Sequence, residues 1–314
     1  GMMRSYHAGT PRRASGQRAY SDCMSLLATR RLGRTGHQSS LAILGGAAFW
    51  GTTPEVTERS FQLALDAGVN HLDIAPSYGH AELVVGPLVP AVRARLFIGE
   101  KSNRTNPDGL RAQLETSLQR LGCDSFDLYQ AHGVTDMAEL DRRSPAIEAI
   151  LRARDEGLTR FVGITGHDFG TAAAQLAAVR RFDLDSVMLP VYPGALVNAQ
   201  YAADLAALLA EAARRDLAVM AIKAGAHQPW GTREKTSTTW YEPFTDPESV
   251  ARGVRFTLGT PGVHAFCTTG DVDVLPMQLA AAASYEPLSV GEREALLTDA
   301  AEWPTIFPLT EHAR

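Results

Sequence analysis

The sequence predicts an α/β protein, a closed (β/α)8 or TIM barrel with an N-terminal hairpin and one extra C-terminal helix. Eight short apolar runs alternate with helical patterns along a single chain, the signature of parallel strands joined by crossover helices. At 314 residues the chain suits one such barrel, for which about 250 residues is typical. The first strand–helix loop, Gly45-Gly46-Ala47-Ala48, lacks the GxGxxG spacing that seats a pyrophosphate in an open dinucleotide-binding sheet, the competing architecture.

The elements follow in order. Residues 31–38 read as a short hairpin turning at Thr35-Gly36, and residues 41–44 as the first buried strand, running into Gly45-Gly46. Residues 53–67 form a helical pattern with Thr53 as N-cap and Gly68 past its end. Strands are expected at 69–74, 96–99, 126–131, 161–164, 187–189, 218–222 and 263–267. The clearest helices between them are expected at 80–88, 107–121, 144–156 and 271–283. A last helix at 289–302 packs outside a barrel that spans about residues 29–286. Residues 1–28 carry no periodicity and read as a flexible basic leader, leaving 29–314 as a single barrel domain.

Composition narrows the function classes. With 45 % hydrophobic residues, a chain of this length removes roughly 75 % of its unfolded surface from water. Its 27 glycines and 17 prolines fall well short of a low-complexity or collagen-like sequence. Three scattered cysteines and no CxxC pair argue against a disulfide framework, a Cys-rich zinc site or a cysteine-held cluster. They suit a reducing compartment, and the chain is read as cytoplasmic. The pair Arg12–Arg13 is followed by no hydrophobic stretch of the length an export signal needs, and no apolar run reaches the ~20 residues of a membrane span. Residues 1–36 hold seven arginines against one acid, yet the net charge is −5, so the body is acidic. It has no basic stripe to follow phosphates, and neither nucleic acid nor membrane is expected as a partner.

In a (β/α)8 barrel the chemistry lies at the carboxyl ends of the strands. Asp73, Lys101 and His132 end the second, third and fourth strands, 28 and 31 residues apart, or one strand–helix unit each. Tyr78, five residues past Asp73, lies in a loop long enough to turn back over the same place. A phenol titrates near 10, and a neighbouring ammonium favours its phenolate, so Lys101 is expected to acidify Tyr78. Asp73 is the natural counter-charge for Lys101, and His132 can orient a carbonyl. The group suits protonation of an alkoxide as it forms, and a hydride must then come from a nicotinamide.

The segments Leu32-Gly33-Arg34-Thr35-Gly36, Asn70-His71-Leu72-Asp73-Ile74-Ala75-Pro76-Ser77-Tyr78-Gly79, Ile98-Gly99-Glu100-Lys101, Asp127-Leu128-Tyr129-Gln130-Ala131-His132 and Val162-Gly163-Ile164-Thr165-Gly166-His167, taken in order, resemble the aldo-keto reductase family. The most specific is Asp-x4-Tyr-Gly, followed closely by Glu82. The resemblance spans about residues 30–285. It implies reduction of an aldehyde or ketone, with Tyr78 as general acid, Lys101 and Asp73 as its tuning pair, and His132 as the group that orients the carbonyl. It further implies NADP(H) held extended across the mouth by Gly46, Ala47, Thr165, Gly166, Tyr192, Lys223, Thr269, Gly270 and Asp273; no metal is expected.

The cofactor region departs from better-known members. Thr165-Gly166-His167 replaces a Ser-Asn pair, and Met188-Leu189-Pro190 lacks a common Gln, leaving Tyr192 to stack on the ring. Ile222-Lys223-Ala224-Gly225-Ala226-His227 looks like the lysine-containing variant of a bacterial branch, without the C-terminal iron–sulfur cysteines of some of its members. Alignment on Gly270 puts Asp273 and Ala280 where NADPH-using members carry an Arg and an Asn. A carboxylate repels a 2′-phosphate but accepts from a ribose 2′-hydroxyl, so NAD(H) is possible. Alternatively Arg233 or Lys235 of the long, aromatic-rich loop 224–246 holds the phosphate, and that loop is a candidate lid. Two other functions stay open: a non-catalytic nicotinamide-binding sensor or accessory barrel, and a metal-assisted hydrolase using His71, Asp73, His132 and His167.

Overall fold

The computed structural model describes residues 25–307, so most of the expected basic leader lies outside the described residues. Within them, strands β3 (Ala42–Gly45), β4 (His71–Asp73), β5 (Phe97–Ser102), β6 (Phe126–Ala131), β7 (Thr159–Thr165), β8 (Ser186–Pro190), β9 (Ala218–Ile222) and β12 (Ala265–Cys267) are all parallel. They close into a barrel because β12 pairs with both ends, Phe266 standing opposite Ala42 on one side and Ala221 on the other. The predicted (β/α)8 barrel is the fold of this chain.

The period-2 alternation of the strands sorts their side chains into two cores. Ile43, Phe97, Leu128, Met188, Ala218, Met220 and Ala265 point inward and fill the lower barrel. Leu44, Ile98, Tyr129, Val187, Val219 and Phe266, each one residue away from these, join the larger core under the helices. The bottom is stoppered by the N-terminal hairpin. Strands β1 (Thr29–Arg31) and β2 (Gln38–Ser40) pair antiparallel, and between them Leu32 enters the inner cluster with no exposed surface. His71 lies two residues deeper than Asp73 on β4, its Nδ1 3.0 Å from Ser39 Oγ and its ring edge-on to Phe97.

Helices α1 (Pro54–Asp66), α2 (Ala81–Val85), α3 (Pro107–Leu121), α4 (Met137–Asp155), α5 (Thr171–Arg181), α6 (Pro193–Leu196), α7 (Ala199–Arg215), α8 (Pro247–Leu258), α9 (Leu275–Ala283) and α10 (Val290–Ala301) surround the barrel. Their starts follow local chemistry. Thr53, Asn106 and Asp246 each accept a backbone N–H in the first turn and are followed by proline, whose missing donor costs nothing there. Ser289 and Glu292 form a reciprocal capping box on α10.

Two helix starts differ from expectation. The helix expected at 144–156 begins seven residues earlier, at Met137, where Asp136 accepts from Glu139 N–H at 2.8 Å. Ser144 instead bonds back to the Leu140 carbonyl at 2.9 Å, and Pro145 lies inside the helix. Helix α9 begins at Leu275 rather than 271, because Asp271 is committed to the loop before it. The long loop 224–246 contains a two-stranded antiparallel ribbon, β10 (Ala226–Pro229) with β11 (Tyr241–Pro243).

Candidate active site

Strand alternation carries Asp73, Lys101 and His132 to one end of the barrel, as their spacing requires. Asp73 ends β4, Lys101 is the fifth residue of the six-residue β5, and His132 directly follows β6, its N–H bonded to the Ser102 carbonyl at 2.8 Å. The β4–α2 loop turns sharply at Gly79, with φ +57. A Cβ there would lie 2.3 Å from the Trp50 carbonyl oxygen, so only glycine lets this loop lean against residue 50. That turn hangs the Tyr78 phenol over the strand ends. Trp50 itself is half exposed beside it.

The four side chains meet. Lys101 Nζ donates to Asp73 Oδ2, to Tyr78 Oη at 3.1 Å and to the Ile74 carbonyl at 3.5 Å. The His132 ring stands edge-on to Tyr78, centroids 5.8 Å apart, with Nδ1 3.4 Å from Ser77 Oγ. Lys101 and Asp73 are almost fully buried, at 1 % and 2 % exposure, so each charge depends on the other. Burial pulls the ammonium towards deprotonation, but Asp73 and Tyr78 outweigh it and hold Lys101 above its ordinary value.

Tyr78 corrects one expectation. Its pKa is pushed up to about 12, because burial disfavours the phenolate more than Lys101 favours it, and Asp73 adds to the rise. The ammonium is in contact, but Asp73 offsets part of its effect and burial outweighs the rest. The phenol therefore keeps its proton throughout the neutral range. Burial, reinforced by Lys101, holds His132 well below its usual value, so it is neutral.

Several neighbours complete the cluster. Gln130 is two residues before His132 on β6 and so points the same way; its Nε2 lies 3.5 Å from Asp73 Oδ1. Cys267, the last residue of β12, places its thiol 3.6 Å from Asp73 Oδ2. Alternation on these strands is signal enough to find both. Glu82 serves the scaffold, pairing with Arg120 of α3 at 2.7 Å. The open groove of about 720 Å³ at the opposite end of the barrel, around Arg93, Cys123, Asp127 and Arg160, includes none of the four.

The residues expected to hold a cofactor ring the same mouth with different degrees of freedom. Gly46 and Ala47 form the turn after β3, and Gly270 abuts Ala47. Thr165 is buried at the end of β7, with Gly166 N–H on the Met188 carbonyl. Thr269 is already bound through both its amide and hydroxyl to Gln278 of α9. Asp273 is exposed near the start of α9, with its N–H on Asp271 Oδ1. Lys223 extends its ammonium across Trp240 and Tyr241, 4.7 and 4.5 Å from the ring centroids. Arg233, the alternative phosphate ligand, is held by Glu242 and the Pro229 carbonyl.

Two features had no signature in the sequence. Tyr192 is 1 % exposed, packed by Phe307 of the C-terminal segment, which also touches His167, Phe169 and Trp240. Asp271 ties the β12–α9 loop to the long loop by accepting from Ser237 Oγ at 2.7 Å and Thr238 N–H at 2.9 Å. Burial raises its pKa, but these bonds outweigh it and keep Asp271 below its ordinary value.

Residues 42–250 match the sequence model of the aldo/keto reductase family. The chain belongs to that family. An aldo-keto reductase of Mycobacterium sp. (strain KMS) is 31 % identical over 127 residues, 39 % of this chain and 45 % of that protein. L-galactose dehydrogenase of Arabidopsis thaliana is 28 % identical over 159 residues, 46 % of this chain and 50 % of that protein. The chain thus spans about half the length of the curated relatives it matches. Among solved structures, the holo form of an aldo-keto reductase from Bacillus halodurans superposes with a TM-score of 0.68. That match is at 19 % identity, covers 92 % of this chain and all of that one, and shows the shared barrel. No helix among the described residues is long and apolar enough to cross a membrane.

The buried pair gives a stability prediction for this family member. Asp73→Asn or Lys101→Met alone strands a charge and lowers unfolding stability by about 3–5 kcal/mol. In urea denaturation, the double variant is expected to lose less than either single one. Additive losses would show that the two charges do not depend on each other.

Proposed function

We propose that this chain is an NAD(P)H-dependent oxidoreductase that reduces an aldehyde or ketone to an alcohol. The observation that carries the reading is the contact of Tyr78 Oη with Lys101 Nζ, 3.1 Å apart, with Asp73 behind the ammonium and His132 beside the ring. A dinucleotide suits the rest of the mouth, whose donor set includes the ammonium of Lys223 and the small residues Gly46, Ala47 and Gly270. When bound, the reduced nicotinamide supplies a hydride, which this chain's side chains lack.

The chain's own residues manage the oxygen. Tyr78, protonated at neutral pH, donates to the carbonyl oxygen as negative charge grows there. Lys101 stabilises the phenolate that is left, and Asp73 holds Lys101 in place. Neutral His132 lies with Nδ1 3.4 Å from Ser77 Oγ, and the tautomer in which Nδ1 accepts from that hydroxyl carries its hydrogen on Nε2, the form that orients the carbonyl. Trp50 and the aromatics of the long loop offer apolar walls, which favour a carbonyl compound with an apolar body.

The second reading is a non-catalytic nicotinamide sensor, favoured by the cover of Phe307 on Tyr192. One variant separates the two. Tyr78→Phe is expected to lower kcat for NAD(P)H-linked carbonyl reduction by about 10²–10⁴-fold while leaving cofactor binding within threefold. Unchanged turnover overturns the assignment of the acid, and a parent protein that binds cofactor but reduces no aldehyde or ketone selects the sensor.

The exposed carboxylate of Asp273 and the engaged Arg233 support tolerance of NADH. In calorimetric titration the two cofactors are expected to bind within tenfold of each other. Asp273→Arg should then shift the ratio towards NADPH by about tenfold, or about 1.4 kcal/mol. A strong NADPH preference in the parent, unaffected by Arg233→Ala, contradicts this reading of the eighth loop.

A further inference from the structure

The open groove under the barrel takes no part in the chemistry proposed above. Its volume of about 720 Å³ falls within the range of small-molecule sites, roughly 300 to 1,000 Å³. The segments that lead into β5, β6 and β7 build much of its wall. They place the guanidiniums of Arg93, Arg95 and Arg160 there, against the carboxylates of Asp124 and Asp127. One positive charge is left over, in a chain whose net charge is −5.

The three guanidiniums are not equivalent. Arg93 is fixed, donating to Asp127 Oδ2, the Leu96 carbonyl and the Ser125 carbonyl, each at 2.9 Å. Asp127 is committed as well. One of its oxygens accepts from Arg93 and the Ile98 N–H, and the other accepts from Arg160 at 3.1 Å. Arg160 makes only that hydrogen bond, and its side chain stays 63 % exposed. Among the described residues the Arg95 side chain has no hydrogen bond or ion pair, and neither has that of Asp124. Two guanidinium forks therefore line the groove with donors to spare, and such forks match a carboxylate or a phosphate in shape and charge.

The groove also offers a flat apolar wall. The His37 ring is stacked on Phe97, centroids 4.5 Å apart, and Phe97 on Phe161, with the Arg160 guanidinium 5.3 Å from the Phe161 centroid. Burial holds His37 below its usual value, so it presents a neutral ring, and its buried Nε2 has no partner among the described residues. Pro90, Ala94 and Leu96 extend the wall. A bare ion would leave most of this space unfilled, and the leader, with Arg4, Arg12, Arg13 and Arg18 against Asp22, carries the wrong sign to fill it. We propose that the groove is a second ligand site and takes a small organic anion, its carboxylate or phosphate on Arg95 and Arg160 and its apolar body against His37 and Pro90. The proposal goes beyond the oxidoreductase reading and does not depend on it.

Calorimetry on the full chain at low salt, where exposed charges are least screened, tests it with four probes. Benzoate and phenyl phosphate carry the two head groups on one ring, benzamide keeps the ring without the charge, and inorganic phosphate keeps the charge without the ring. At least one of the two organic anions is expected to bind with a Kd of about 1 mM or tighter, and benzamide to give no heat. The double variant Arg95→Gln, Arg160→Gln is expected to weaken that binding by about tenfold or more. It leaves Asp127 its bonds from Arg93 and Ile98, so the fold is kept. Arg95→Gln alone breaks no contact of the fold and is expected to weaken binding by about threefold or more. Absence of heat from both organic anions overturns the proposal, as does binding that the double variant leaves within about twofold of the parent. Equal affinity for benzamide would mean that the charge is not read, and equal affinity for inorganic phosphate would mean a surface ion site only; either overturns the organic anion as ligand.

Discussion

The site is organised around a single buried ion pair. An ammonium inside a barrel cannot stay charged without a carboxylate, and Asp73 provides one from the neighbouring strand. Once paired, Lys101 has two further donors to place, and they find Tyr78 and the carbonyl of Ile74. The pair thereby fixes the loop after β4, and with it the phenol. The glycine turn at residue 79, the neutral His132 and the inward Gln130 all arrange themselves about that fixed point.

The pairing also determines what kind of acid Tyr78 is. Had Lys101 been unpaired, its field would have drawn the phenol towards ionisation. Asp73 offsets part of that field, and the cost of burying a phenolate dominates. The result is a proton donor that is fully loaded at neutral pH and gives its proton only to a much stronger base, such as a forming alkoxide. Lys101 matters most after transfer, when a phenolate stands beside it.

Much of this was legible in the residue pattern. Strand alternation and the 28- and 31-residue intervals suffice to bring Asp73, Lys101 and His132 to one rim, because a parallel barrel leaves few other arrangements. The hairpin was legible from its turn residues, although its role in driving Leu32 into the barrel floor was not. The rest depended on quantities a linear pattern does not carry. Whether burial or Lys101 wins at Tyr78 is a balance of two large opposing effects. The start of α4 is set by the Asp136 cap, upstream of the expected start at residue 144. Phe307 comes from a tail without periodicity, and only three-dimensional packing brings it to Tyr192 and Trp240.

The central claim is that Tyr78 holds its proton across the neutral range while touching an ammonium. Ultraviolet difference titration of the parent against Tyr78→Phe measures this ionisation directly. The account predicts no phenolate from Tyr78 up to pH 10, in keeping with a pKa of about 12. A midpoint at or below pH 9 would mean that Lys101 outweighs burial, and would contradict it.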